Sequence, residues 1–357
     1  MKKLILNIGL IMAVATFGLH GEDANMNNFK EKIQQAACIC CIDGGGSKTE
    51  MQIIDAQGNL FSFYKNGEVV DVVCGPGCNI NTIGADQVRK TFEDLFQGIE
   101  FGERRIPIDK IKNQIVIVAG LAGFGSKNNN SMARTILSDL GFLSQNLFVY
   151  SDSELLFTSF TPGEILLIGG TGSCCVGKNI DGSKIQCGGL GKMLGDEGSG
   201  YAIGLQTIKK VLEVDQGWGE ATSLTQIVKN QFGVEDLQDL FMPLQQGIIT
   251  PDQIAALTPY VFQEAKNEDE TAMRIVYNAA QDLGTMLDKI VHKINCDEQT
   301  IYLSGGLFKG KEQEWFIRTI LQSDSFNKTF DSEKHTVKIL GAGNPAVVAV
   351  LKLLSLA

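Results

Sequence analysis

The sequence has no concentration of positive charge. Its 357 residues carry a formal net charge of −10, and no run of Lys and Arg is longer than two residues. Proteins that bind nucleic acid or an acidic membrane surface usually present a basic patch, so neither is an expected partner. The chain is 44% hydrophobic, enough for one large domain or two ordinary ones. A small molecule is the more natural ligand.

Histidine is scarce, and the cysteines do not suggest a disulfide framework. His20, His292 and His335 do not cluster with carboxylates or cysteines, which argues against a catalytic zinc ion. The nine cysteines are an odd number, and their usage favours a reducing compartment. Three of them, in CICC at residues 38–41, lie on a predicted strand, where cysteine usually acts as a small apolar residue. A metal or iron–sulfur site built from CICC and CGPGC (residues 74–78) is the less favoured alternative.

The N-terminus resembles a secretory signal without a good cleavage site. Two lysines precede an uncharged apolar stretch from Leu4 to Leu19, which is short for a membrane span. Residues 1–25 are therefore predicted to be a signal-like leader or the product of a start codon assigned too early, with Met26 as the alternative start. We expect a cytoplasmic protein without stable membrane association, although the leader leaves a periplasmic or anchored location open.

The chain also lacks a standard P-loop. IDGGGSKTE at residues 42–50 is similar to one, but Ser47 and not glycine precedes Lys48. The residues that follow alternate between polar and apolar, which predicts a second strand and not the required helix. The segment is thus predicted to be a hairpin whose glycine tip exposes backbone amides, and consecutive amides can bind an anion.

A second segment repeats this design and suggests a duplicated domain. EILLIGGTGSCCVGKNIDGS, from residue 164 onward, again predicts a strand, a glycine turn at Gly169 to Ser173 and a second strand. If the two halves face each other, both turns can reach one polyphosphate. We predict an N-terminal domain at 36–160, a C-terminal domain at 161–343, and a C-terminal helix at 344–357 that packs back on the first domain.

Other segments complete an α/β pattern. Apolar runs predict buried strands at 115–120, 147–151, 301–306 and 336–341. Helical spacing predicts a packing helix from Asp269 to Ile294. A last helix is predicted from Asn344 to Leu354, with Asn344 as N-cap and Pro345 in the first position.

Five sequence motifs follow one another along the chain: IDGGGSKTEMQIID, AGLAGFG, LLIGGTGS, CGGLGKMLGDEGSGYAIG and LSGGL, of which the fourth is the most specific. In their order and spacing they resemble the motifs of the N-acetylglucosamine kinase branch of the actin-like ATPase superfamily, which includes sugar kinases, Hsp70 and actin. The same group holds the ATPase components of benzoyl-CoA reductase, the BadF/BadG/BcrA/BcrD type. The resemblance spans about residues 40–350. It implies duplicated actin-like ATPase (ribonuclease H-like) domains with a nucleotide cleft between them.

The resemblance implies ATP and Mg²⁺ as cofactors. Asp43 would meet the magnesium ion through water, and Gly305 and Gly306 would lie along the nucleoside. The two turns would contact the phosphates through Gly44, Gly45, Gly46, Ser47, Lys48 and Thr49 in the first, and Gly170, Thr171, Gly172 and Ser173 in the second. A turn hydrogen bond is the alternative for Thr171, and an ordinary left-handed turn is the alternative for Gly305.

Asp152 in VYSDSELL stands at the carboxyl end of a predicted strand, where α/β sheets present ligand groups. The resemblance implies that it accepts the proton of the sugar's 6-hydroxyl; a helix N-cap, which Ser151 and Asp152 could both supply, is the alternative. Asn79 and Asp196 match residues that contact the sugar in the family. Glu197 is expected to cap the following helix.

The expected function is ATP-dependent phosphorylation of an amino sugar, above all N-acetylglucosamine at its 6-hydroxyl. Members similar to the human enzyme carry asparagine where this chain has Cys174, which leaves the identity of the sugar open. The alternatives are an ATPase activator of a dehydratase or reductase with an iron–sulfur cluster, and a non-catalytic sugar sensor. The resemblance also suggests a homodimer.

Overall fold

The computed structural model describes residues 21–36, 38–46, 48–124, 127–309, 313–340 and 345–355. Most of the predicted leader, together with Ser47 and Asn344, lies outside these residues. Among the described residues, no helix is both long enough and apolar enough to cross a membrane.

The described residues alternate between strands and helices. The strands are β1 (Cys38–Gly44), β2 (Lys48–Ile54), β3 (Phe63–Lys65), β4 (Glu68–Val70), β5 (Val72–Pro76), β6 (Ile99–Phe101), β7 (Ile106–Pro107), β8 (Ile115–Leu121), β9 (Leu147–Tyr150), β10 (Glu164–Gly169), β11 (Ser173–Lys178), β12 (Lys184–Gly188), β13 (Gln299–Ser304) and β14 (His335–Ile339). The helices are α1 (Gly21–Gln35), α2 (Ile80–Phe96), α3 (Lys127–Asp139), α4 (Asp152–Thr158), α5 (Gly200–Asp215), α6 (Leu224–Phe232), α7 (Phe241–Gln245), α8 (Pro251–Ala255), α9 (Thr258–Lys266), α10 (Glu270–Lys293), α11 (Glu314–Leu321) and α12 (Pro345–Ser355).

Two five-stranded sheets have the same topology, as the repeated hairpin predicts. Their strand orders are β5-β2-β1-β8-β9 and β12-β11-β10-β13-β14. In each sheet the first hairpin strand pairs antiparallel with the second and parallel with a later strand. The predicted mixed α/β duplication is therefore confirmed. A small sheet of order β4-β3-β6-β7 was not predicted.

Each sheet has its own apolar core on one face. We call the first sheet with α2 and α3 the first lobe, and the second sheet with α5 to α11 the second lobe. Alternation along β1 places Ile42 in the core of the first lobe, whereas Leu167 of β10 lies in that of the second. The helix α10, predicted from Asp269 to Ile294, packs on the second sheet, and Asp269 is its N-cap.

A third core joins the opposite faces of the two sheets. It contains residues of both sheets and of α1, α4 and α12, and we call it the interlobe core. Phe29 of α1 stacks on Phe148 of β9, with ring centroids 4.3 Å apart. The helix α12 contacts β1, β8 and α4, so this helix packs beside the first sheet.

An ion pair fastens α12 to the second sheet. The Lys352 ammonium lies 2.7 Å from the Glu164 carboxylate, and these side chains are only 18% and 13% exposed. The Tyr302 hydroxyl donates to the same carboxylate at 2.7 Å. Burial raises the pKa of Glu164, but the hydrogen bonds from Lys352, Tyr302 and the Thr161 amide outweigh burial, and the net pKa is lowered.

We predict that Lys352→Met lowers the free energy of unfolding by about 1–3 kcal/mol at neutral pH, because it leaves a largely buried carboxylate without its cation. Adding Glu164→Gln should recover most of this loss. The wild-type contribution is present above about pH 4.3, the usual glutamate pKa, and is lost as pH falls through the lowered pKa. Urea unfolding at pH 7 and at a series of pH values below about 4.3 measures both effects.

The control for this prediction is Lys338→Met, which removes an exposed lysine near the Tyr302 ring. It should change stability by less than about 0.5 kcal/mol. If Lys352→Met and Lys338→Met lowered the free energy of unfolding equally, the Glu164–Lys352 ion pair would not contribute to stability beyond an exposed lysine.

Candidate active site

The carboxyl ends of three parallel strands meet at one edge of the first sheet. Asp43 of β1 is in register with Gly120 of β8, and Gly120 is in register with Tyr150 of β9. Neighbouring strands lie about 4.8 Å apart. Asp43 therefore lies at the same edge of the sheet as the segment that leads from β9 to Asp152. In α/β sheets, ligands bind at this carboxyl edge of the strands.

Asp152 is the first residue of α4, and the N-cap of this helix is Ser151. The Ser151 hydroxyl accepts the Glu154 amide at 3.2 Å. The capping alternative considered for this pair thus falls to Ser151. The catalytic role of Asp152 stays a prediction.

Asn79 lies beside the same edge, at the N-cap of α2. Its side-chain oxygen accepts the Asn81 amide at 3.1 Å. It also lies against Gly123, whose φ is +84°; a Cβ there would be 2.4 Å from Asn79 Oδ1. Asn129 of α3 donates to the Gly123 carbonyl at 2.8 Å and to Asn81 Oδ1 at 3.3 Å. Asn81 and Asn129 were missed, since no local pattern links them.

The first glycine turn is only partly free to bind an anion. A Cβ on Gly44 would lie 2.1 Å from Cys78 Sγ, and the Gly45 amide donates to the Lys48 carbonyl at 2.9 Å. The prediction that the Gly45 amide contacts phosphate therefore needs correction, since this amide closes the hairpin. Gly46 is exposed at the tip, and Ser47 lies outside the described residues. Lys48 is 63% exposed and pairs with Glu50 at 2.9 Å, outside the turn.

The prediction that Thr49 offers its hydroxyl to phosphate is wrong for this structure. Thr49 is fully buried, and its hydroxyl donates to the Pro76 carbonyl at 2.7 Å. Its side chain lies on the same face of β2 as the buried Met51 and Ile53. Burial also raises the pKa of the adjacent Cys78 thiol to about 11, which makes it unreactive.

The second glycine turn has two amides available. The Gly170 amide closes the turn on the Gly172 carbonyl at 2.9 Å. Within the described part of the chain, the amides of Thr171 and Gly172 donate no hydrogen bond. The predictions for Gly170 and Ser173 need correction: the Gly170 amide is taken, and the Ser173 hydroxyl is buried and donates to the Glu197 carbonyl at 2.6 Å.

Asp196 is held against the second turn. Its Oδ1 accepts the Ser173 amide at 3.1 Å, and a Cβ on Gly172 would lie 2.8 Å from the same oxygen. Burial raises the pKa of Asp196, and the nearby Glu197 charge raises it further against the lowering effect of the Ser173 amide. Glu197 does not cap α5 as expected, because the cap is Ser199.

Gly305 and Gly306 follow β13 beside the second turn. A Cβ on Gly305 would lie 2.3 Å from the Gly169 carbonyl oxygen, and its φ of +107° with ψ of 173° is not the ordinary left-handed turn. Gly305 therefore permits two main chains to touch. A Cβ on Gly306 would meet no atom within 4 Å, so this residue borders open space.

Asp252 links the two glycine turns, and no sequence signal pointed to it. The Thr171 hydroxyl donates to Asp252 Oδ1 at 2.8 Å. A Cβ on Gly46 would lie 3.0 Å from Asp252 Oδ2. The two turns thus face each other across the width of one carboxylate. The Thr171 hydroxyl makes this bond and not the alternative turn hydrogen bond, and its phosphate contact stays a prediction.

The helix that carries Asp252 is fixed by close packing. A Cβ on Gly204 of α5 would lie 2.0 Å from the Ile254 carbonyl oxygen of α8. The Gly200 amide at the start of α5 donates to the Gly170 carbonyl at 2.8 Å. One helix therefore holds both the second turn and α8.

The cysteines near the turns do not form the metal or iron–sulfur site that is the alternative reading of the sequence. Cys38 and Cys40 face the core of the first lobe, whereas Cys41 faces the interlobe core, so CICC cannot converge on one cluster. In the described ranges, no three His, Cys, Asp or Glu residues are grouped to hold a metal ion. Cys174 is buried in the interlobe core. A cavity of about 830 Å³ is lined by the loop that contains Gly195 and Glu197 and by residues of α5 and α10.

The sequence model of the BadF/BadG/BcrA/BcrD ATPase family matches residues 41–342. The chain belongs to this family. The paired glycine turns and the strand-end carboxylates described above are therefore features of a member of this family.

Proteins with assigned activities align with most of this chain. An N-acetylmuramic acid/N-acetylglucosamine kinase of Clostridium acetobutylicum is 28% identical, over 85% of this chain and 93% of the relative. An N-acetyl-D-glucosamine kinase of Dictyostelium discoideum is 27% identical, over 74% and 84% of the two chains. The crystal structure of a candidate N-acetylglucosamine kinase from Chromobacterium violaceum is similar with a TM-score of 0.62 at 22% identity, over 90% of this chain and 99% of that one. This likeness shows the two-domain actin-like fold.

We predict that Gly204→Ala lowers the free energy of unfolding by about 1–3 kcal/mol, because the added methyl group would meet the Ile254 carbonyl. In an exposed helix the same change should stabilise by about 1 kcal/mol. Lys209→Ala, on the exposed face of α5, is the matched control. Urea unfolding of the three proteins distinguishes the packing effect from helix propensity, and a stabilised Gly204→Ala variant would contradict it.

Proposed function

We propose that this protein is an ATP-dependent amino-sugar kinase that transfers a phosphoryl group to the 6-hydroxyl of N-acetylglucosamine. The observation that carries the proposal is the placement of the two glycine turns, which face each other at Gly46 and Thr171. A polyphosphate between them would meet exposed backbone from both lobes. The names of the Clostridium and Dictyostelium relatives support an amino sugar as acceptor.

The phosphates would be bound chiefly by backbone amides. Among the described residues, the amides of Thr171 and Gly172 donate no hydrogen bond. On the opposite turn, Gly46 is exposed. Consecutive amides of this kind form an anion-binding concavity. Gly306 leaves room for the nucleoside beside them.

The carboxylate at the end of β1 suits a magnesium ion that arrives with ATP. Mg²⁺ usually takes one or two protein carboxylates and completes its shell with phosphates and water. Asp43 is a donor of this type and would hold the ion through water. The ion would neutralise charge on the phosphates.

Asp152 would act as the general base. It follows β9 at the same sheet edge as Asp43, and Ser151 performs the helix capping. The sugar 6-oxygen would form its bond to the γ-phosphorus as the bond to the ADP oxygen breaks, and the hydroxyl proton would pass to the Asp152 carboxylate.

The acceptor would lie beside the asparagine cluster. Asn79, Asn81 and Asn129 surround Gly123 at the end of β8, on the side of the first lobe that carries Asp152. Amide side chains both donate and accept hydrogen bonds, as recognition of several sugar hydroxyls requires. Asp196 would contribute from the second lobe.

We predict that the full-length protein releases ADP from Mg-ATP only when a suitable sugar is present, with N-acetylglucosamine the best of a panel that includes glucosamine and N-acetylmuramic acid. A coupled ADP assay measures turnover, and phosphorus NMR of the product identifies the phosphorylated hydroxyl. Sugar-independent hydrolysis would favour the ATPase activator, whereas sugar binding without turnover would favour the sensor.

We predict that Asp152→Asn lowers kcat by about 10²–10⁴-fold, the usual contribution of a general base, and leaves ATP affinity nearly unchanged. Glu154→Gln is the matched control, because it neutralises another carboxylate of the same short helix. Steady-state kinetics and calorimetric ATP binding separate the two effects. Unchanged turnover of Asp152→Asn would remove it as the base.

A further inference from the structure

One carboxylate reaches both glycine turns. Asp252 Oδ1 accepts the Thr171 hydroxyl at 2.8 Å, across 81 residues of sequence. Its other oxygen is the atom nearest to a Cβ placed on Gly46, at 3.0 Å. A negative charge therefore stands where a polyphosphate between the turns would pass.

This charge cannot easily move away from the second turn. A capping box holds the start of α8, in which the Thr250 amide donates to Gln253 at 2.8 Å and the Gln253 amide donates to Thr250 at 3.3 Å. The close approach of Gly204 to the Ile254 carbonyl fixes the rest of α8 on α5. The backbone beneath Asp252 is thus part of the second lobe's rigid packing.

Other carboxylates lie beside the turns in the described part of the chain. Lys48, the cation in the first hairpin, is exposed and paired with Glu50 at 2.9 Å. Asp196 lies against the second turn at Gly172, and Asp43 ends β1. Metal-free ATP would bring its full negative charge against these carboxylates, whereas Mg²⁺ lowers that charge and presents water molecules that donate to carboxylate oxygens.

We propose that Asp252 determines the form of nucleotide that the site accepts, by rejecting metal-free ATP and admitting its magnesium complex. The inference rests on the proposed function. Asp252 acts on the nucleotide by repulsion and through bound water, and it holds the Thr171 hydroxyl until a phosphate oxygen replaces the carboxylate as acceptor. It is a specificity-determining residue and takes no part in proton transfer.

Asp252→Asn tests the inference, because asparagine keeps the shape and can still accept from Thr171 but carries no charge. Calorimetry on the full chain without sugar gives the Kd of ATP with excess EDTA and with saturating Mg²⁺. We expect the variant to bind metal-free ATP about tenfold or more tightly than wild type does, while the Kd of the magnesium complex changes little. The ratio of the two Kd values should fall accordingly.

Two further measurements separate charge from structure. Raising the salt concentration should strengthen metal-free ATP binding relative to the magnesium complex more in wild type than in Asp252→Asn, since screening weakens charge repulsion and the variant keeps only the repulsion from Asp43 and Asp196. Asp252→Ala should shift the ratio in the same direction as Asp252→Asn. Glu270→Gln neutralises a carboxylate in the first turn of α10 and should leave the ratio at its wild-type value.

An unchanged ratio in Asp252→Asn, or weaker binding of the magnesium complex with metal-free ATP unaffected, would overturn the inference. In both cases nucleotide binding by the wild type would leave the proposed function standing. A wild-type protein that binds ATP in neither condition would overturn both.

Discussion

The second glycine turn depends on main chains that approach more closely than any side chain allows. A Cβ on Gly305 would lie 2.3 Å from the Gly169 carbonyl oxygen, and one on Gly200 would lie 3.0 Å from that of Gly170. These contacts press β13 and α5 onto the turn from two sides. Since α5 also receives α8 at Gly204, the turn, Thr171 and Asp252 form one rigid unit. A binding site that is rigid before its ligand arrives loses little conformational entropy when the ligand binds.

The two lobes are joined in one place and face each other in another. The interlobe core and the Glu164–Lys352 ion pair connect the sheets through α12, whereas among the described residues the glycine turns approach each other where Gly46 and Thr171 both lie against Asp252. Leu155 and Leu156 of α4 are buried in the interlobe core, so the helix that begins at Asp152 is anchored in the joint. A rotation of one lobe about this joint would change the gap between the turns more than the position of α4.

The errors in the sequence-based site have two physical causes. Side chains alternate between the two faces of a strand, so position in a motif does not decide which way a residue points. Thr49 shares a face with the buried Met51 and Ile53, and this alternation was visible in the sequence. Gly45 and Gly170 were assigned to phosphate as parts of glycine runs, but one amide of each turn must close the turn itself.

The sequence by itself determined the two hairpins, their glycine turns, the long helix α10 and the strand-end positions of Asp43 and Asp152, because periodicity and turn chemistry act over a few residues. Only the tertiary structure decided that Asn129 reaches Asn81 across 48 residues and that Thr171 reaches Asp252 across 81. Such pairs leave no local pattern, since their proximity follows from how helices pack onto two separate sheets. The Asp252 carboxylate lies between the turns because α8 packs on α5, and this packing has no signature in the local sequence.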